Sequence, residues 1–222
     1  MSAGAEADGR AAADPSGKLW RAMSLVPDGS GSHRERLLAG MAAAIREHGF
    51  GPTTVAEVVA HARTSRRTFY QHFDDREDCF LALNDLLTER LLEVIAEAAT
   101  GEENWEERVD RTLVAYLGAL ASEPELTRAC IVEVPALGPE GLARTRALKE
   151  RAAHQLCRLV EEAREHDPHL RPLSLEAALM LVGGFEDLVL WALEHGRDLT
   201  ELQAVAGDLV RRITMRDGGP PE

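Results

Sequence analysis

The chain has 222 residues, enough for one large domain or two small ones with a sizeable core. Aromatic residues make up 5% of it, and no stretch alternates apolar with polar residues under β-branched enrichment, which excludes a strand-rich fold and leaves an all-α reading. The net charge of −13 excludes a nucleic-acid partner only if it is evenly spread; residues 32–76 hold seven Arg against five acids, whereas residues 77–222 hold 15 basic and 29 acidic side chains. That asymmetry fits a DNA-facing head on an acidic body, although solubility alone also explains an acidic body. Cys79, Cys130 and Cys157 lie far apart with no C-x-x-C spacing, so they read as small core residues, with no disulfide framework and no metal site. No signal peptide and no apolar run of membrane-spanning length is found, so the expectation is a cytoplasmic protein with no membrane partner.

Residues 1–31, rich in Ala, Gly, Asp and Ser, read as a disordered arm in which Trp20 and its flanking cations are the exception. Ser32 and Glu35 then form an S-x-x-E capping box for a helix that carries Leu37, Leu38, Met41, Ala44 and Ile45 on one face up to Gly49. Thr54 and Glu57 repeat the signal for a short helix from Thr54 to Ala62, with Val55, Val58, Val59 and Ala62 on its apolar side. Ser65 opens the next segment, about two turns to Phe73, in which Phe69 and Phe73 share a buried face. The opposite face is Arg66, Arg67, Thr68, Tyr70, Gln71 and His72, a set that donates hydrogen bonds to phosphates and base edges. Two short helices joined by a few residues and backed by a longer one outline a helix-turn-helix. Asp74, with Glu77 three residues on, is expected to cap a long connector helix running to about Ala99.

The body should begin after Gly101 with a helix whose inward residues are Trp105, Val109, Leu113, Tyr116, Leu117 and Leu120. A second helix runs from Pro124 to about Val134, closed by Pro135, and Gly138-Pro139 opens a third to about His166. The segment from Ala177 to Leu193 is apolar almost all round, with Glu186 and Asp187 its only charges, and a helix apolar on every side must be buried on every side. It therefore suggests a subunit interface shared with a final helix from Thr200 to Ile213, built on Leu179, Val182, Phe185, Val189, Leu209 and Ile213. Trp105, Tyr116, Glu133, His154 and Glu186 are polar groups set within apolar helical segments, and such groups point to a binding pocket in the body. Residues 217–222 read as a disordered tail.

Pro52-Thr53-Thr54-Val55-Ala56-Glu57-Val58, then Ser65 to Phe73, then Arg76-Glu77, resembles the DNA-binding signature of the tetracycline-repressor (TetR) family of transcription regulators. The likeness is close over residues 33–83 and otherwise rests on an all-helical outline of about nine helices. The resemblance implies a helix-turn-helix domain at 32–76, an effector-binding and dimerisation domain at 77–216, and a four-helix bundle of two helices per subunit. It also implies phosphate contacts from Thr54, Tyr70, His72 and Arg76, with Arg66, Arg67, Thr68 and Gln71 nearer base edges and Ser65 at the start of the reading helix. Two departures stand out: Arg63-Thr64 and Arg67 occupy positions where the family often has Gly, and an Arg at a positive φ costs more than a Gly.

No H-E-x-x-H, G-x-S-x-G, Walker or G-x-G-x-x-G pattern is present, and paired carboxylates such as Glu161-Glu162 read as solvated helix faces, so no enzyme, cofactor or metal is expected. The reading is a homodimeric repressor, released from an inverted-repeat operator in double-stranded DNA by a small-molecule effector. The alternatives are an activator or ligand-independent regulator of the same fold, and a DNA-binding head fused to a helical enzyme, which the missing catalytic constellation disfavours.

Overall fold

The computed structural model describes residues 31–101 and 104–215. The expected arm, apart from Gly31, and the expected tail lie outside the described residues, as does Trp20. The described chain forms nine α-helices: α1 (His33–His48), α2 (Val55–His61), α3 (Arg66–Phe69), α4 (Arg76–Ala98), α5 (Trp105–Ala121), α6 (Pro124–Ala136), α7 (Gly138–Arg164), α8 (Leu175–Glu194) and α9 (Gln203–Thr214), with a 3₁₀ turn (Leu199–Leu202) before the last. The only bridge among the described residues is an isolated antiparallel one between Leu170 and Met215. None of the described helices is long and apolar enough to cross a membrane.

Local chemistry sets the helix starts. The Ser32/Glu35 and Thr54/Glu57 capping boxes both form, each hydroxyl accepting from the N3 amide and each carboxylate accepting from the cap amide. Ser65 caps α3 by accepting from Thr68 N at 3.1 Å. The long connector departs from expectation: Asp75, not Asp74, is its cap, accepting from Asp78 N at 2.8 Å, while the Asp74 amide donates to Asp78 Oδ2 at 3.0 Å. Pro135 likewise sits inside the last turn of α6 instead of ending the helix before it.

Three cores order these helices. The first joins α1, α2, α3 and the start of α4 to α6, through Leu37, Met41, Phe69, Phe80, Leu126 and Val134 among others, so head and body share apolar packing. Gly40 lets α1 and α2 touch: a Cβ there would lie 2.5 Å from the Val58 carbonyl oxygen and 3.0 Å from Ala62 N, both backbone atoms. The second core packs Trp105 and Val109 of α5 on Val160 of α7 and Val210 of α9, and the third packs Leu117 on Val189, Ala192 and Leu202.

Candidate DNA interface and internal cavity

The head presents its polar groups outward. The α-helix of α3 is only four residues long, shorter than the two turns expected; past its C-cap at Tyr70 the chain tightens into turns, with Gln71 N donating to Thr68 O at 3.2 Å and His72 N to Phe69 O at 2.9 Å. Phe69 and Phe73 are 0% and 4% exposed, and their burial turns Arg66, Arg67, Tyr70, Gln71 and His72 to solvent. The side chains of Arg66 and Arg67 form no hydrogen bond or ion pair with any described residue, so both guanidinium groups are free for an anionic partner. Thr68 shares its hydroxyl with Ser65 at 2.9 Å. Tyr70 is 59% exposed and stands edge-on to Phe69, so most of its ring lies outside the core. The turn before α3 places Arg63 at φ 48°, a left-handed conformation held by amide bonds from Arg63 N to Ala60 O (3.2 Å) and Thr64 N to Val59 O (3.0 Å).

Two residues expected at phosphates are otherwise engaged. The Thr54 hydroxyl donates to Glu57 Oε2 at 2.9 Å, and the Thr54 hydroxyl and amide together hold the Glu57 carboxyl below its ordinary pKa of 4.5. Arg76 turns inward: its Nη1 donates to the carbonyls of Gly51 (2.9 Å) and Thr53 (2.8 Å), its guanidinium lies 4.4 Å over the Phe50 ring, and its Nη2 pairs with Glu77 at 2.8 Å. Arg76 ties the α1–α2 loop to α4, a structural task in place of the surface contact expected from the sequence.

The body presents polar groups inward. A cavity of about 260 Å³ lies between α4, α5, α6, α7 and α8. Its walls are mainly apolar, and along α4 it reaches from Asn84 to Ile95. Of the five pocket residues expected, Trp105, Tyr116 and Glu186 line it. Glu133 and His154 do not: Glu133 is half-buried on another face of α6, and His154 is exposed on the outer face of α7. Trp105 spends its indole N–H on Thr214 Oγ1 at 2.8 Å. Glu186 pairs with Lys149 at 3.0 Å. Tyr116 has no hydrogen-bond partner among the described residues, and burial, aided by the nearby Glu186 carboxylate, pushes its pKa up.

One wall residue connects this cavity to the head. Glu123, with its side chain 8% exposed, receives a forked set of hydrogen bonds from Arg46 of α1, Nε to both carboxylate oxygens at 2.9 and 2.8 Å and Nη2 to Oε1 at 2.6 Å.

The apolar helix α8 divides its surface differently from the expectation. Val182 and Phe185 line the cavity and Val189 is 1% exposed in the third core, so none of these three faces outward as an interface residue would. Leu179 and Ile213 are half-buried. Leu209 is exposed at 45%, together with Met180 (78%), Trp191 (44%) and Val205 (57%). A Cβ at Gly183 or Gly184 would meet nothing within 4 Å, so α8 is bare there.

Residues 37–83, which hold α1 to α3 and the start of α4, match the family model described as bacterial regulatory proteins, tetR family. Over those residues the head is similar to the DNA-binding domain of TetR-family transcriptional regulators. Comparison with curated proteins found no match. Among solved structures, the chain is similar to the fatty acid degradation regulator FadR from Bacillus halodurans, 20% identical over 81% of this chain and 95% of that one, with a TM-score of 0.71. It is also similar to FadR from Bacillus subtilis, solved in complex with stearoyl-CoA, at 17% identity over 79% and 96% of the two chains and a TM-score of 0.68. Reduced NemR from Escherichia coli is 22% identical over 82% and 97%, with a TM-score of 0.65. At these identities the likeness establishes a shared fold.

Several residues that stand out in the structure carry little or no signal in the sequence. Asn84 and Thr88 lie beside the apolar stripe of the connector, where two polar residues four apart were a legible signal. The Arg46–Glu123 fork carries no such mark, because its members are 77 positions apart.

Proposed function

We propose that this chain is a TetR-family regulator and a homodimeric repressor, with a reading head at 32–76 and an effector and dimerisation body at 77–216, that leaves an inverted-repeat operator when a small molecule fills the cavity. The observation that carries the reading is Glu123, which forms part of the cavity wall and is at the same time fastened to α1 of the head by Arg46. A ligand that displaces this wall moves the point where the head is anchored, and an effector acts only through such a difference between two states, worth about 1–3 kcal/mol of coupling. The free Arg66 and Arg67 at the head surface support base contacts, and Tyr70, Gln71 and His72 beside them supply the remaining donors.

A second copy of the chain is the partner that the α8–α9 face suits. Met180, Gly184 and Trp191 follow one another along a helical face, next to Val205 and Leu209 on α9, and an apolar strip of this kind is rarely left bare on a monomer. The stearoyl-CoA complex of the Bacillus subtilis neighbour supports a ligand with a long apolar part for the elongated cavity.

The test is a release titration. Compounds that raise the melting temperature of the purified protein are added to its complex with a selected operator, and fluorescence anisotropy should fall to the value of free DNA. Compounds that bind the body tightly yet leave the complex intact at saturation would contradict the effector reading.

A further inference from the structure

The cavity is long for its volume. From Asn84 to Ile95 it follows eleven residues of α4, about 17 Å at 1.5 Å per residue, within a volume of about 260 Å³. An elongated, mainly apolar cavity of this kind accommodates an unbranched chain. Its two ends differ in chemistry.

At the head-side end, Asn84 and Thr88 are 6% and 9% exposed, line the cavity, and have no hydrogen-bond partner among the described residues. Their amide and hydroxyl open onto the cavity, so whatever fills it at this end must pair them. The acid nearby, Glu123, is already taken by Arg46, so this end offers neutral donors and acceptors and no free charge. At the other end stands Arg108, which lines both the cavity and a surface groove of mixed charge, where Arg151 and Arg158 stand among Glu89, Glu93, Glu162 and Glu165; of these groove cations only Arg108 also lines the cavity. Its Nη2 donates to Gly101 O at 2.7 Å, its Nε is buried without an acceptor, and it makes no ion pair with any described residue. The other cation on the wall, Lys149, is neutralised by Glu186. Arg108 is therefore a cation facing the cavity mouth with donor capacity unspent.

We infer that the effector is an unbranched aliphatic chain with two polar ends: an acid group held by Arg108 at the mouth, and a neutral hydrogen-bonding group, in its simplest form a hydroxyl, received by Asn84 and Thr88 beside the head. This rests on the effector reading above and sharpens it. A plain saturated acyl chain would press its methyl end against the Asn84 amide and leave it unpaired, whereas a hydroxyl both donates to the amide oxygen and accepts from its nitrogen or from Thr88. Polar recognition of this sort discriminates far better than apolar contact, since the wrong ligand strands a buried group. The distal group would also lie next to Glu123, the wall residue that Arg46 fastens to α1.

The test is calorimetric titration of the full-length protein with 16-hydroxyhexadecanoate and with hexadecanoate. Wild type should bind the hydroxy acid at least tenfold more tightly. The double variant Asn84→Leu, Thr88→Val, which keeps volume and removes only unpartnered polar groups, should lose that preference. Arg108→Gln should weaken both acids by a similar factor and keep their ratio. Equal affinity of wild type for the two acids, no binding of either, or a preference that survives in the double variant would overturn the inference, and the first two results need no variant to fold. Tight binding of the hydroxy acid without release of operator DNA would count against the effector reading alone and leave the ligand class standing.

Discussion

Apart from Arg36 Nε, which is buried on α1 without an acceptor, head and body keep their unpartnered polar groups in opposite places. In the head, Arg66 and Arg67 have no partner among the described residues and stand in water, where a free guanidinium is well hydrated and costs the fold almost nothing. In the body, the side chains of Asn84, Thr88 and Tyr116 also lack hydrogen-bond partners among the described residues, but they open onto an internal cavity, where only solvent or a ligand can pair them. The difference separates two uses of polarity. The surface set waits for a polyanion that arrives with its own charge, and the buried set waits for whatever fills the cavity. Between them lies the Arg46–Glu123 fork, a part-buried charged contact that is fully paired within the chain and so serves neither partner directly.

The largest effect is expected where the outward face of the body is altered. Leu209→Arg or Trp191→Arg should give a folded monomer whose affinity for a two-half-site operator falls by orders of magnitude, whereas Val189→Arg, placing a charge in the third core, should fail to fold. Sedimentation and circular dichroism separate the two outcomes, and a dimer that survives both surface changes would remove this face from the account.

Next comes Arg76. Its inward bonds to Gly51 and Thr53 predict that Arg76→Ala lowers stability by about 1.5–3 kcal/mol in urea unfolding, with little change in the salt dependence of DNA binding. A variant as stable as wild type but with one fewer counterion released on binding would instead return Arg76 to the phosphates.

Asn84→Leu should act in the other direction, raising the stability of the ligand-free protein by about 1 kcal/mol, because it removes a buried group with nothing to bond. A loss of similar size would mean that the amide has a partner in solution.

The smallest effect concerns pH. The Glu57 carboxyl is held below its ordinary 4.5 chiefly by the Thr54 hydroxyl and then by the Thr54 amide. A depressed carboxylate contributes stability that is present above the unfolded value and lost as pH falls through the folded one. Thr54→Val should therefore flatten the fall of the melting temperature below pH 4.5, and an unchanged acid limb would show that this bond carries no stability.

These contrasts also mark what the chain discloses before it folds. The caps at Ser32, Thr54 and Ser65 were legible because a helix N-terminus is satisfied by residues three positions on, and the burial of Phe69 and Phe73 followed from helical spacing. The same local logic misjudged Asp74, since either of two adjacent acids can cap and backbone geometry chose Asp75. The inward bonds of Arg76 are not legible in the sequence, because its partners are carbonyls at Gly51 and Thr53, some two dozen residues back, and a carbonyl leaves no trace there. On α8 an apolar run has no visible front or back. Only the packing partners decide that Val189 faces the core, Val182 and Phe185 the cavity, and Met180 the outside. His154 and Glu133 lie off the cavity wall for the same reason: a polar residue within an apolar segment carries no mark of which face of the helix it occupies.

The most direct measurement is selection from a random duplex DNA library with the purified protein. The account predicts an inverted repeat whose half-sites lie about one helical turn, or 34–36 Å, or a multiple of it apart. Enrichment should disappear for the Arg66→Ala, Arg67→Ala double variant and persist unchanged for Asn84→Leu. Enrichment of an unsymmetrical site, or of the same site by the double Arg variant, would contradict a dimer that reads DNA with the free cations of its head.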